Sequence, residues 1–175
     1  MRWIWIDKFI EFESGQRAKS VKNVSLAEEH LHDHFPGYPV MPNSLITEGL
    51  AQTGGVLVGE TTGFKELVVL AKIPKAVYHF PAVAGDTLIY STQIESLKED
   101  GACVSATSTV NGRVQAEMEI FYAFLSQQDR GSAMEAKNFV QMLRLLGVLN
   151  FGTAPDGTPL PIPKGLARLQ ELASE

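Results

Sequence analysis

Residues 44–59, Ser-Leu-Ile-Thr-Glu-Gly-Leu-Ala-Gln-Thr-Gly-Gly-Val-Leu-Val-Gly, have helical length and almost no polar face. Leu45, Ile46, Leu50, Ala51, Val56, Leu57 and Val58 spread around the circumference. A helix apolar on all sides is enclosed by the rest of its chain. Gly49, Gly54 and Gly55 each cost such a helix roughly 1 kcal/mol relative to alanine. The expected return is close backbone approach to whatever wraps it. Asn43, just before the run, is expected to act as N-cap, its side-chain oxygen accepting from an amide of the first turn.

The remaining sequence supplies the wrapping. Residues 3–12 are aromatic and β-branched and read as a strand. Ser14-Gly15 reads as a turn and residues 17–24 as a second strand, completing a hairpin. Residues 25–42 carry three prolines and a cluster of histidines and predict a loop with at most a short helix. After Thr62-Gly63, strands are expected over 66–72, 75–78, 86–97, 102–110 and 113–124. Asn111-Gly112 is a two-residue hairpin signal, and Asp100-Gly101 marks another turn. The fold class is therefore α+β, one buried helix within a mostly antiparallel sheet.

The end of the chain differs. Residues 127–131 read as a linker, and Ser132 is placed to cap a helix running to Leu149 with an apolar stripe of Phe139, Met142, Leu143, Leu146 and Val148. Residues 153–164 are rich in proline and glycine and predict no regular structure, with a short helix over 166–172. The expected organisation is a domain over 1–126 and a helical appendage over 127–175.

With 175 residues the chain can bury a core without disulfides, and its one cysteine, Cys103, forms no disulfide framework or cysteine metal cluster. A net charge of −5 argues against a nucleic-acid partner, whose affinity comes largely from phosphate neutralisation. No apolar run approaches the roughly 18 residues of a membrane span, and the first residues do not read as a secretory signal. A cytoplasmic location is expected.

Chemistry concentrates in His34-Phe35-Pro36-Gly37-Tyr38-Pro39-Val40-Met41-Pro42-Asn43, with Glu48 and Gln52 on the helix that follows. Taken alone, His34 suits a hydrogen-bonded loop histidine, and Glu48 a partly exposed helix residue. Alternating His30, His32 and His34 would face one side only on a strand, which Pro36 disfavours, so no metal is expected. The segment resembles the signature of the 3-hydroxyacyl-acyl-carrier-protein dehydratases, His-Phe-Pro-Gly-x-Pro-Val-x-Pro-Gly followed by a helix bearing Glu and then Ala-Gln. Lys22-Asn23-Val24 upstream continues the likeness, as do Lys75-Ala76 and Pro81-Ala82-Val83-Ala84-Gly85-Asp86 downstream. It runs from about residue 4 to residue 124. The chain departs from the pattern at Asn43, where the family has glycine, and at Asp33, Lys8 and Ala84.

The resemblance implies a hotdog fold, a long helix wrapped by a curved antiparallel sheet. It also implies a homodimer, or a trimer of dimers, whose active site pairs the histidine of one chain with the acid of the other. By motif position these are His34 and Glu48, with Gly37, Pro42, Asn43, Ser44 and Gln52 as substrate-binding residues. The substrate implied is a 3-hydroxyacyl thioester on acyl carrier protein or coenzyme A, and no cofactor. The residue types suit that reaction. Neutral imidazole, pKa roughly 6.5, can take the C2 proton. A carboxyl desolvated on an apolar helix can give a proton to the departing C3 hydroxyl. Amides at the helix start can stabilise the thioester enolate. The isomerising branch of the family carries aspartate at the position of Glu48, so simple dehydration is expected. The alternatives are a non-catalytic acyl-binding or partner subunit of a dehydratase, and a hotdog acyl-thioesterase.

Overall fold

The computed structural model describes residues 3–125, 142–148 and 152–160. Its elements run β1 (Lys8–Glu13), β2 (Arg17–Asn23), α1 (His30–Asp33), α2 (Asn43–Thr61), β3 (Leu67–Tyr78), β4 (Thr87–Leu97), β5 (Gly101–Val110) and β6 (Arg113–Leu125). The six strands form one antiparallel sheet in the order β1-β2-β4-β5-β6-β3. This is the hotdog arrangement that the family resemblance implies.

Helix α2 is enclosed because it has no face to give to water. Ile46, Leu50, Leu57 and Val58 are all fully buried. The sheet meets them with every second residue, as in β5, where Ala102, Val104, Ala106, Ser108 and Val110 point inward. Two glycines make the close approach possible. A β-carbon on Gly49 would lie 2.4 Å from the Tyr90 ring of β4, and one on Gly54 would lie 2.6 Å from the Tyr122 hydroxyl of β6. Ser20 of β2 and Thr53 of α2 share a buried hydrogen bond of 2.6 Å, which fixes the helix on the sheet. Asn111 and Gly112 both take positive φ, 50° and 76°, in the two-residue turn between β5 and β6.

Several expectations are corrected. The first strand begins at Lys8, because residues 3–6 pair with a side chain of α2 instead of with β2. Pro42, not Asn43, occupies the N-cap position. Asn43 is the first helical residue, and no side-chain capping bond forms. The two strands expected at 66–72 and 75–78 are the single β3. Its pairing with β6 slips between Leu70 and Lys72 and again between Lys72 and Lys75. Pro74 is tolerated there because β3 lies at the end of the sheet.

Near the C-terminus, residues 142–145 are helical, and Leu143, Leu146 and Val148 are buried in the same core as α2. Residues 152–160 are less irregular than expected. Thr153 bridges in parallel to Glu13 and antiparallel to Pro159, so the segment lies along β1. The expected linker at 127–131, the cap at Ser132, Phe139, and the helix at 166–172 lie outside the described residues. Among the described residues no helix is long and apolar enough to cross a membrane.

Candidate active site

The loop 34–42 carries the histidine and delivers the chain into α2. It is stitched to the segment before β4, where the Met41 amide donates to the Ala82 carbonyl (2.8 Å) and Val40 bridges to Val83. Within the loop, the Val40 amide donates to the His34 carbonyl (2.9 Å), and Phe35 and Tyr38 exchange backbone hydrogen bonds. Gly37 turns the tip at φ +78°, a conformation that disfavours any side chain.

His34 is half-buried, its ring stacked on Phe35 with centroids 4.2 Å apart. Its Nδ1 lies 2.9 Å from the Val40 carbonyl oxygen. A carbonyl can only accept, so Nδ1 carries a proton, and in the neutral form of the ring the lone pair is on Nε2. The loop therefore sets the tautomer that a base needs.

The start of α2 supplies the polar end. Asn43 and Ser44 are exposed, and their amides belong to the first turn, which has no intrahelical acceptor for them. The partial positive charge of a helix start adds to their donor character. Thr47 holds this turn from the side. Its hydroxyl donates to the Asn43 carbonyl (2.9 Å) and also bonds the Tyr78 hydroxyl of β3.

Glu48 lies one residue further, half-buried, with Oε1 accepting from Gln52 Nε2 at 2.8 Å. Gln52 Nε2 also donates to the Trp3 carbonyl (2.8 Å), and its Oε1 accepts the Trp5 amide (2.9 Å). Both amide protons of Gln52 are thus engaged within the chain. Burial, followed by the nearby charge of Glu48, pushes the Tyr122 phenol well above its ordinary value. That phenol donates to the Ala51 carbonyl (2.7 Å).

The structure thus groups the sequence-predicted residues in three places. His34 and Gly37 lie on the loop, Pro42, Asn43 and Ser44 at the helix start, and Glu48 and Gln52 one to two turns along α2. It adds Trp3, Trp5, Thr47 and Tyr78, which sequence reasoning missed. Thr47 was the readable signal, a polar residue beside Glu48 in an otherwise apolar run. His32 is turned away, its Nε2 3.0 Å from the Leu26 carbonyl. Among the described residues no group of three or more metal-ligating side chains converges.

A family described as the FabA-like domain matches residues 3–124. A Hydrogenobaculum protein (strain Y04AAS1) named 3-hydroxyacyl-[acyl-carrier-protein] dehydratase FabZ is 42% identical over 115 residues, covering 64% of this chain and 78% of that one. A protein of the same name from Staphylococcus aureus (strain JH9) is 38% identical over 122 residues, covering 69% and 84%. Among solved structures, the dehydratase heterocomplex ApeI:P of Xenorhabdus doucetiae matches with a TM-score of 0.61 at 15% identity, over 81% of this chain and 90% of that one. A Streptococcus mutans UA159 protein bound to acetyl CoA matches with a TM-score of 0.57 at 17% identity, over 68% and 88%. These structural likenesses establish the fold. The sequence matches establish more, and the chain belongs to the FabA-like family of 3-hydroxyacyl-acyl-carrier-protein dehydratases.

Proposed function

We propose that this chain removes water from a 3-hydroxyacyl thioester carried on acyl carrier protein, giving the trans-2-enoyl thioester in fatty acid synthesis. The observation that carries the chemistry is the bond from His34 Nδ1 to the Val40 carbonyl, which leaves Nε2 free to act as base. His34 takes the C2 proton while Glu48 donates to the C3 hydroxyl, which leaves as water. The C2–H and C3–O bonds break and C2=C3 forms. Solvent later takes the proton from His34 and restores one to Glu48. The charge developing on the thioester oxygen is met by amides at the start of α2, those of Asn43 and Ser44. The loop 34–42, exposed from Phe35 to Tyr38, with Gly37 at its tip and Pro42 at its end, forms one wall for the substrate, and Gln52 orients Glu48.

The pair is completed in a homodimer, with His34 of one protomer facing Glu48 of the other. Support comes from β3, twelve residues long at the end of the sheet, with Leu67 and Leu70 exposed. The assembly is this homodimer or a trimer of such dimers. The working unit spans 1–126, with 127–175 as an appendage whose described segments, 142–148 and 152–160, brace it, and a cytoplasmic location accords with a diffusing carrier protein.

The test is hydration of a crotonyl thioester, followed as loss of enoyl absorbance, for wild type and His34→Ala in parallel. Turnover that vanishes in the variant is expected. Silence in a folded wild-type dimer, on longer carrier-bound chains as well, would instead indicate a non-catalytic acyl-binding subunit.

A further inference from the structure

Behind the start of α2, three side chains bury polar atoms that have no hydrogen-bond partner, Trp5 Nε1, His30 Nε2 and the Tyr90 hydroxyl. Tyr90 is fully buried. The three belong to one neighbourhood. The Trp5 and His30 rings stand edge-on with centroids 5.2 Å apart. The Tyr90 ring and the Trp5 carbonyl both press on Gly49, where a β-carbon would come within 2.8 Å of Tyr90 Cζ and 2.9 Å of the Trp5 oxygen. His30 and Tyr90 also share a charged neighbour, Glu28.

A buried polar atom left unpaired is costly, and folded proteins rarely keep three together. Their chemistry selects what would pair them. The indole nitrogen only donates, the phenol both donates and accepts, and a neutral imidazole nitrogen does one or the other. A cation would face the indole donor. An anion would find no free charge, since Lys22 already pairs with Glu28 and lies 3.7 Å from Asp7. A ligand that accepts two hydrogen bonds and donates two fits every assignment. We propose that Trp5, His30 and Tyr90 together hold one buried water molecule between the N-terminal segment and the sheet floor.

That water ties down the side chain of Trp5, whose backbone amide Gln52 already holds. It also gives a polar residue, His30, a reason to face the interior. Burial first, and then the charge of Lys22, keep its imidazole below its ordinary value, against the opposing pull of Glu28.

A crystal structure of the full chain that resolves ordered water tests this, together with thermal unfolding of Tyr90→Phe. One water within about 3.2 Å of at least two of the three atoms is expected. Tyr90→Phe should also lower Tm by roughly 2–4 °C, because the water loses a partner. Density that is empty or touches fewer than two of the atoms overturns the proposal. So does a Tyr90→Phe Tm that is unchanged or raised, since removing an unpaired hydroxyl relieves its cost.

Discussion

Gln52 Nε2 donates to Glu48 Oε1 at 2.8 Å, and the same amide group grips the backbone of Trp3 and Trp5. One side chain thus fixes the orientation of the acid and the path of the N-terminal segment. Gln52→Leu keeps the bulk and removes all three hydrogen bonds, at about 2–4 kcal/mol in total. Tm should fall, and kcat should fall roughly 10- to 100-fold through a misplaced carboxyl. Steady-state kinetics beside a melting curve check both, and a normal kcat would separate Gln52 from the chemistry.

Glu48→Gln is the complementary change. Its amide keeps the size of the side chain and still offers an oxygen to Gln52, so Tm should hold within about 2 °C. Without a transferable proton, kcat should drop by roughly 10²- to 10⁴-fold. An active Glu48→Gln enzyme would remove the acid role from this residue.

Gly54 and Tyr122 form a pair whose coupling can be measured. A β-carbon on Gly54 would lie 2.6 Å from the Tyr122 hydroxyl and 3.3 Å from Val104. Gly54→Ala should therefore destabilise by about 1–3 kcal/mol despite the better helix propensity of alanine. Tyr122→Phe removes the clashing oxygen and should cost about 1 kcal/mol for its bond to Ala51. In a denaturant double-mutant cycle the double variant should lose clearly less than the two singles added together. Strict additivity would mean that the crowding lies elsewhere.

Much of this was legible because local and tertiary signals agree. The run 44–59 is apolar all round and is enclosed, Asn111-Gly112 is the turn it resembles, and Gly49 and Gly54 mark where strands cross the helix. The failures fall where a distant partner decides. Trp3 to Ile6 alternate like a strand, yet a glutamine 47 residues beyond Trp5 claims that backbone. Asn43 is a good cap in isolation, but Pro42 already presents the carbonyl that Leu45 and Ile46 use. Pro74 breaks a strand in the middle of a sheet and is harmless at its edge. At the candidate site, the motif singles out His34 and Glu48, while the tautomer of His34 required the loop geometry.

At the far end of α2, burial raises the Glu60 carboxyl above its usual value of 4.5, opposed by a hydrogen bond from Ser14. The folded protein therefore holds this proton more tightly than the unfolded chain. Its stabilising effect is complete below the unfolded value and is lost as pH rises through the folded one. Glu60→Gln cannot ionise and should escape that loss. Its Tm should exceed that of wild type near pH 7 by a few degrees, with the difference shrinking towards about pH 4. Melting curves across that range decide, and an offset independent of pH would refute ionisation of Glu60 as the cause.

The C-terminal segments matter to the fold through two kinds of contact. Backbone pairing runs from the Phe9 amide to the Leu146 carbonyl (2.9 Å), from the Ser14 amide to the Thr153 carbonyl (2.8 Å), and from the Thr153 amide to the Phe12 carbonyl (2.9 Å). Leu143, Leu146 and Val148 then bury their side chains in the core that also holds Phe9 and Phe12 of β1. A sheet edge with its amides occupied is closed to pairing with another chain. Leu146→Ala should remove about 2–5 kcal/mol by leaving a cavity. Thr153→Pro, which removes the amide bonded to Phe12, should loosen the same edge. Both variants should lower Tm and, on warming, associate earlier than wild type. Both should keep kcat at low temperature, because the backbone bonds of these segments to the sheet run to β1 and the turn after it. Light scattering during a melt, with kinetics measured well below Tm, tests this. A variant that loses kcat while fully folded would show that the C-terminal segments also shape the active site.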